Sequence, residues 1–203
     1  MKGAEMCLLF AALGYLLGSM HFCDFILRRF KGIDVKAVSP DGNPGTCNAY
    51  QFGGFWCGTA TLLLDLLKGT LPVAACLRTA PGCQTLSVFA LTLAAPVMGH
   101  AFSVLHHGHG GKAIAASFGV LLGLFPTYLP AVLLAGCYLF FTLIWVVNPH
   151  RVRSIVTFAV FSALCAASPV PMPVKIGCTM ISAVVVLKHL PKPMKAREEG
   201  CEY

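Results

Sequence analysis

The sequence predicts an all-α integral membrane protein of about seven transmembrane helices, and three observations predict it. Of the 203 residues, 57% are hydrophobic and only 11% are charged, with a mean hydropathy of +0.75. A water-facing domain carries about 25% charged residues, so too few remain here to coat an aqueous surface. Apolar runs recur along the whole chain, several near the roughly 20 residues that cross a bilayer as helix. The polar stretches between them are too short to build a second core, which makes residues 1–203 one transmembrane domain.

The first run, Met6–Leu27, is longer than the apolar core of a signal peptide, and Arg28 and Arg29 follow it in place of a small-residue cleavage site; it is read as a span. Six further runs follow at Gly54–Ala75, Leu86–Leu105, Ala113–Pro126, Tyr128–Val147, Ile155–Ser168 and Pro173–Leu187. Proline ends a helix at the residue before it, so Leu124-Phe125-Pro126-Thr127 and Ser168-Pro169-Val170-Pro171 read as turns. Ala113–Pro126, Ile155–Ser168 and Pro173–Leu187 are short and must borrow flanking residues or sit in thin bilayer.

Lys and Arg concentrate in cytoplasmic loops. With the N-terminus outside, the inner segments hold Arg28, Arg29, Lys31, Lys36, Lys112, Arg151, Arg153, Lys188, Lys192, Lys195 and Arg197; the outer ones hold Lys2, Arg78 and Lys175. Lys68 lies within a span. This asymmetry favours an outside N-terminus and a cytoplasmic C-terminus. It also accounts for the net charge of +7 through membrane topology and anionic lipid, and no basic stripe with interleaved aromatics points to nucleic acid. The cysteines are scattered through apolar runs without a C-x-x-C pair, as small hydrophobes, with no disulfide framework or zinc signature.

The informative loops, Arg28–Asn48, His106–Lys112 and Asn148–Arg153, fall on the inner side. Loop one contains Ser39-Pro40-Asp41-Gly42-Asn43-Pro44-Gly45-Thr46-Cys47-Asn48, where glycines let successive N–H groups converge on an anion; a plain surface turn has the same composition. Loop two runs Gly108-His109-Gly110-Gly111-Lys112 into an apolar helix, an anion-binding arrangement without the Ser or Thr of a Walker A loop. His100, His106, His107 and His109 lack partners at ligand spacing and read as interfacial or structural rather than metal ligands. Asp65 and Lys68 share a helical face inside a span, where charge is costly and marks function by default; a neutralising pair that ties helices together is the plainer alternative. Gly69 and Pro72 predict a helix break just after Lys68. Ser19, after Gly18, is either a packing residue or a hydroxyl facing the site, and His21 and Asp24 read as structural or interfacial. Arg151, Arg153 and Ser154 suit either a phosphate or lipid head groups. Two anion loops, an intramembrane lysine and a basic third loop on one face point to two phosphate-bearing ligands meeting at the membrane surface.

These motifs, in order and at the right spacing, resemble the bacterial membrane glycerol-3-phosphate acyltransferases of the PlsY family. Gly18-Ser19 matches that family's Gly-Ser. Asp34-Val35-Lys36 with Gly42-Asn43-Pro44-Gly45-Thr46-Cys47-Asn48 resembles its D-I-R and G-S-G-N-P-G-A-T-N loop. Asp65-Leu66-Leu67-Lys68-Gly69-Thr70-Leu71-Pro72 fits D-x-x-K-G-x-x-P throughout, Gly99-His100 with Phe102 and then Gly110-Gly111-Lys112 resemble G-H-x-F-P and G-G-K-G-V-A-T, and Ser154 sits like the serine of a third motif. The resemblance implies seven spans and a cytoplasmic site in the bacterial inner membrane. It implies transfer of a fatty acyl group from acyl phosphate to the 1-hydroxyl of glycerol 3-phosphate, giving lysophosphatidate for phospholipid synthesis, with no cofactor and no metal. It assigns catalysis to Ser19, Lys68, His100 and Lys112, and phosphate binding to Lys36, Gly42, Asn43, Gly45, Asn48, Gly110, Gly111, Ser154 and His189. The chain departs from the pattern at Pro40-Asp41, which stand where a serine precedes Gly42; at Lys36 for Arg; at Ser103 for Pro; and at Ala113 and Ala116 for Gly and Thr. Of the family's tail, His189, Gly200 and Glu202 remain. Asp41 in particular places a negative charge beside a phosphate site. A weakly active relative that binds phosphorylated lipid precursors is the alternative, and a small transporter a more distant one, since Asp65 and Lys68 are its sole midplane polarity and no repeat is evident.

Overall fold

The computed structural model describes residues 3–191, so Lys2, Lys192, Lys195, Arg197, Gly200 and Glu202 lie outside the described residues. Among the described residues every regular element is helical: α1 Gly3–Gly18, α2 Phe22–Lys31, α3 Val35–Val38, α4 Thr46–Thr79, α5 Phe89–Ala101, α6 Ile114–Leu122, α7 Leu129–Leu139, α8 His150–Ala167 and α9 Met172–His189, with 3₁₀ turns at Cys83–Thr85 and Val104–His106. A π-helical turn, Phe140–Ile144, extends α7.

Each of the seven apolar runs carries a helix, with altered bounds. The first is broken: α1 and α2 are separated at Ser19-Met20-His21, where the Met20 carbonyl leaves the helical ladder and accepts a hydrogen bond from Lys68 at 2.8 Å. The second begins eight residues earlier than the apolar run and bends at Gly54 (φ 76°, ψ −171°), a conformation open to glycine. It does not break after Lys68. α4 continues through Gly69 and Pro72 to Thr79, and Pro72 costs only the N–H that would have reached the Lys68 carbonyl. α8 and α9 extend to 18 residues each, whereas α6 has nine. At 1.5 Å per residue α6 reaches about 14 Å, half of a bilayer's roughly 30 Å core. Five segments are long and apolar enough to cross a membrane: Gly3–Lys31, Thr46–Thr79, Phe89–His106, His150–Ala167 and Met172–His189.

α5 is the centre. Nearly every residue from Phe89 to Ala101 is buried, against α1, α9, α6 and α4. Gly18 of α1 faces the Pro96 carbonyl and Gly99 of α5 faces the Tyr15 carbonyl so closely that a Cβ at either would overlap backbone. Small residues give membrane helices this approach. α4 shows both solvents at once. Leu63, Leu67 and Leu71 form an exposed apolar stripe at four-residue spacing, while Thr61, Asp65, Lys68 and Pro72 are buried on the other side.

Candidate active site

Asp65 and Lys68 sit on the buried face of α4, each with a side chain 2% exposed and 2.8 Å apart. The Lys68 ammonium is ion-paired with Asp65 Oδ1 and is hydrogen-bonded to the Met20 carbonyl at 2.8 Å and His100 Nδ1 at 2.6 Å. An ammonium only donates, so His100 accepts at Nδ1 and carries its proton on Nε2. Asp65 also receives the Thr46 hydroxyl at 3.5 Å. The broken first span, the first turn of α4 and the end of α5 are thereby tied to one ion pair.

Loop two closes over this group. The Gly111 N–H donates to the His100 carbonyl at 2.9 Å, and a Cβ on Gly111 would overlap His100 Nε2. That nitrogen lies where any larger residue would displace it. Ala113 then takes a left-handed conformation (φ 60°, ψ 15°) to start α6, the geometry a glycine would adopt freely. Loop one turns at Gly42 (φ 58°) and is stapled by Asn48, whose amide donates to the Asn43 carbonyl at 2.7 Å and to Asp41 Oδ1 at 3.0 Å. The two loops join through Lys112 Nζ to Asp41 Oδ2 at 2.8 Å.

The cavity between them measures about 770 Å³. One wall is polar and includes Asp41, Asn43, Asn48, Asp65, His100 and Lys112; the other runs along Leu62, Leu66, Ile114, Phe118 and Leu122. The starts of three helices line it: Gly45 and Thr46 of α4, Ala113 and Ile114 of α6, and His150 of α8. Helix N-termini present unpaired N–H groups and partial positive charge. Asn43 Oδ1 is buried there without a hydrogen-bond partner.

Asn43, Gly45, Asn48, His100 and Lys112 therefore line a single cavity, with Gly110 and Gly111 behind Lys112 and Lys68 behind His100. Others fall elsewhere. The Ser19 hydroxyl is buried and donates to the Tyr15 carbonyl of its own helix at 2.9 Å, and the Ser19 carbonyl accepts from Ser103 at 2.7 Å. Lys36 is exposed and outside the cavity lining, its backbone N–H capped by Asp34. Gly42 shapes the turn without lining the cavity. Ser154 and His189 stand one layer back: Ser154 accepts from the Tyr138 hydroxyl at 3.3 Å, and the His189 ring lies 6.4 Å from that of His150. Arg153 holds loop three through the Val147 carbonyl and Asn148. His21 stacks on His106 at 4.1 Å between ring centroids and meets His100 edge-on at 5.6 Å.

Two polar lining residues, Tyr138 and His150, are not singled out by the sequence. Tyr138 looked like one more apolar span residue. His150 follows Asn148-Pro149, a helix-start signal that could have placed it beside an N-terminal anion site. Asp41, adverse to phosphate on sequence grounds, joins the two loops through Lys112. Lys68 and Lys112, the two lysines assigned to catalysis, each hold a carboxylate. Among the described residues, Cys7, Cys76 and Cys83 form the group spaced for a metal, but they pack in the apolar core and do not line the cavity.

The sequence model of the glycerol-3-phosphate acyltransferase family matches residues 8–197. A protein of Streptococcus equi subsp. zooepidemicus (strain MGCS10565) named glycerol-3-phosphate acyltransferase is 32% identical over 190 residues, covering 92% of this chain and 86% of that one. One from Streptococcus pyogenes serotype M1 is 41% identical over 122 residues, covering 60% of this chain and 55% of that one. The fold is similar to solved structures of PlsY (YgiH), an integral membrane glycerol 3-phosphate acyltransferase. The glycerol 3-phosphate form aligns with a TM-score of 0.76 at 26% identity, covering 90% of this chain and 88% of that one; the lysphosphatidic acid form gives 0.74 at 25%, covering 90% and 87%. A multi-pass helical membrane protein with motif-bearing loops gathered around one cavity, and matched over nearly its whole length, this chain belongs to the glycerol-3-phosphate acyltransferase family.

Proposed function

We propose that this chain transfers a fatty acyl group from an acyl phosphate to the 1-hydroxyl of glycerol 3-phosphate, forming lysophosphatidate and phosphate for phospholipid synthesis. The carrying observation is the two-sided cavity. Asn43, Asn48, Lys112 and three helix starts at its polar wall suit phosphate, and Leu62, Leu66, Phe118 and Leu122 opposite suit an acyl chain. In the step, the hydroxyl oxygen bonds to the acyl carbonyl carbon, the bond from that carbon to the phosphate oxygen breaks, and the departing phosphate takes the hydroxyl proton. An acyl phosphate is already activated, so positioning and charge neutralisation carry the rate. Asn43 Oδ1 accepts from a substrate hydroxyl, His100 Nε2–H and Lys112 face the reacting anions, and Lys68 orients His100. Ser154 and His189 support the wall through Tyr138 and His150.

The whole chain acts as one domain in the bacterial inner membrane, with its N-terminus outside and its C-terminus and cavity in the cytoplasm. The Lys and Arg distribution supports this orientation. The assay is purified protein with acyl phosphate and glycerol 3-phosphate, reading lysophosphatidate and released phosphate. Product from wild type and a loss of roughly 100-fold or more in Lys112→Ala are expected; a folded wild type that makes none overturns the proposal. Labelling of the exposed Cys47 from outside intact cells would overturn the orientation.

A further inference from the structure

The carboxylates of the cavity, Asp41 and Asp65, are each matched by a lysine, Lys112 in its lining and Lys68 behind His100. Lys68 is spent on Asp65 and Lys112 on Asp41. The two pairs differ in kind. The first is deep, with both side chains 2% exposed; the second is at the mouth, 32% and 42% exposed. The Asp41 carboxylate gathers the donors an anionic ligand would want. Its Oδ1 accepts from the Asn48 amide at 3.0 Å, from the Asn43 backbone N–H at 3.1 Å and from the Ser39 hydroxyl at 3.5 Å, while its Oδ2 holds Lys112 at 2.8 Å. Asp41 rides on a turn entered through Pro40 and left through Gly42, whose left-handed φ lets the backbone swing sharply.

We infer that Asp41 is a tethered surrogate for phosphate, a specificity-determining residue that occupies the donors of the anion site and is displaced by the phosphate group of an incoming monosubstituted phosphate. The inference rests on reading this cavity as a phosphate site. A ligand carboxylate brings one charge and two oxygens, as Asp41 already does, and it must also be captured from solution; it gains nothing by exchange. A phosphate dianion brings more charge and a third oxygen, so it alone profits. Were Asp41 to stay, its charge would stand against the phosphate at the same donors. Lys112 thus becomes available when the right ligand arrives, and binding affinity is lowered by the fraction of molecules in which Asp41 holds the site. The chemistry is that of a monosubstituted phosphate dianion, either the ester of glycerol 3-phosphate or the mixed anhydride of the acyl phosphate.

The test uses full-length protein in detergent. Inorganic phosphate binding is measured by calorimetry, and KM for glycerol 3-phosphate and for acyl phosphate by product formation, in wild type, Asp41→Asn and Asp41→Glu. Asn keeps the size and one acceptor oxygen without the charge; Glu keeps the charge. Asp41→Asn should tighten phosphate binding roughly fivefold, equivalent to about 1 kcal/mol at 1.4 kcal/mol per tenfold, the upper range for a partly exposed ion pair. Asp41→Glu should show no such gain. The substrate whose KM falls in parallel, with kcat holding or dropping, is the one that displaces Asp41. Should the Asn variant lose its thermal unfolding transition, Asp41→Ser takes its place with the same expectation. Equal or weaker phosphate binding in the uncharged variant overturns the displacement while leaving the acyltransferase reading standing. An absence of phosphate binding in every protein overturns both.

Discussion

Replacing Lys68 with methionine removes one half of the most enclosed ion pair and leaves Asp65 buried without its cation. The gross attraction of unit charges 2.8 Å apart is about 6 kcal/mol at an effective dielectric of 20, set against several kcal/mol of desolvation for each ion. The intact pair is therefore close to balanced, and the cost appears when one member is lost: about 3–5 kcal/mol. For a chain of this size that is a drop of about 6–20 °C in Tm. Asp65→Leu/Lys68→Met, which removes both charges, should recover most of this loss, because no orphan ion remains. Activity should not recover with it. His100 would still lack the donor that holds its proton on Nε2, so turnover stays low in the stable double variant. Thermal unfolding in detergent and acyl transfer are measured side by side. A Lys68→Met variant melting within 2 °C or so of wild type would refute the interdependence of the pair, and an active double variant would refute the role given to His100 orientation.

Three further outcomes follow from distances already given. Gly111→Ala drives a Cβ into His100 Nε2 and should cut kcat/KM roughly 100-fold, the usual cost of a 1 Å misplacement; unchanged steady-state kinetics would mean that the imidazole is not held there for the reaction. Leu66→Trp fills the apolar wall and should lower turnover of long-chain relative to short-chain acyl phosphates by roughly tenfold, read from competition between two chain lengths. Asp41 connects stability to pH. Burial pushes its carboxyl up, but hydrogen bonds from Lys112, Asn48 and the Asn43 N–H outweigh this and bring it from an ordinary 3.8 to about 2. A depressed carboxylate stabilises fully above its unfolded value and loses that contribution as pH falls through the folded one. Discounted for exposure, the contribution is within about 1 kcal/mol. Wild type should therefore melt about 2–4 °C above Asp41→Asn at pH 6, with the gap closing between pH 4 and 2.

The helical, membrane-embedded character and the meeting of the three loops were legible because hydropathy and loop chemistry are local signals. Tertiary partners decided the remainder. Nothing near Ser19 announces the end of α1; the break makes sense once the Met20 carbonyl has Lys68, 48 residues away, as its donor. Gly69 and Pro72 look like a helix stop in isolation. In the fold Gly69 lies where a Cβ would press on the Ala116 carbonyl of α6, so it permits close packing, and that packing holds the helix through the proline. Asp41 shows the same limit in electrostatics. Read along the chain it is an unwelcome charge in an anion loop; its partner Lys112 lies 71 residues on, and sequence spacing carries no trace of the pairing.

A phosphate site in a membrane protein, as proposed for this cavity, faces conflicting demands. Uncompensated lysines would attract phosphate strongly, but an empty cavity lined by bare ammonium groups beside lipid carries a desolvation penalty. Here the division of labour follows exposure. The deep pair, Lys68 with Asp65, is too enclosed to exchange partners and fixes His100 and the broken first span. Three helix N-termini supply positive potential that needs no counterion, each equivalent to roughly half a charge. The half-exposed pair at the mouth is the one whose carboxylate can leave. If this is the arrangement that works, the two lysines must respond oppositely to loss of their own carboxylates. Removing the Asp41 charge should strengthen phosphate binding, whereas removing the Asp65 charge should destabilise the fold with no gain in affinity. A lysine pair that responded alike would mean that burial does not separate their roles.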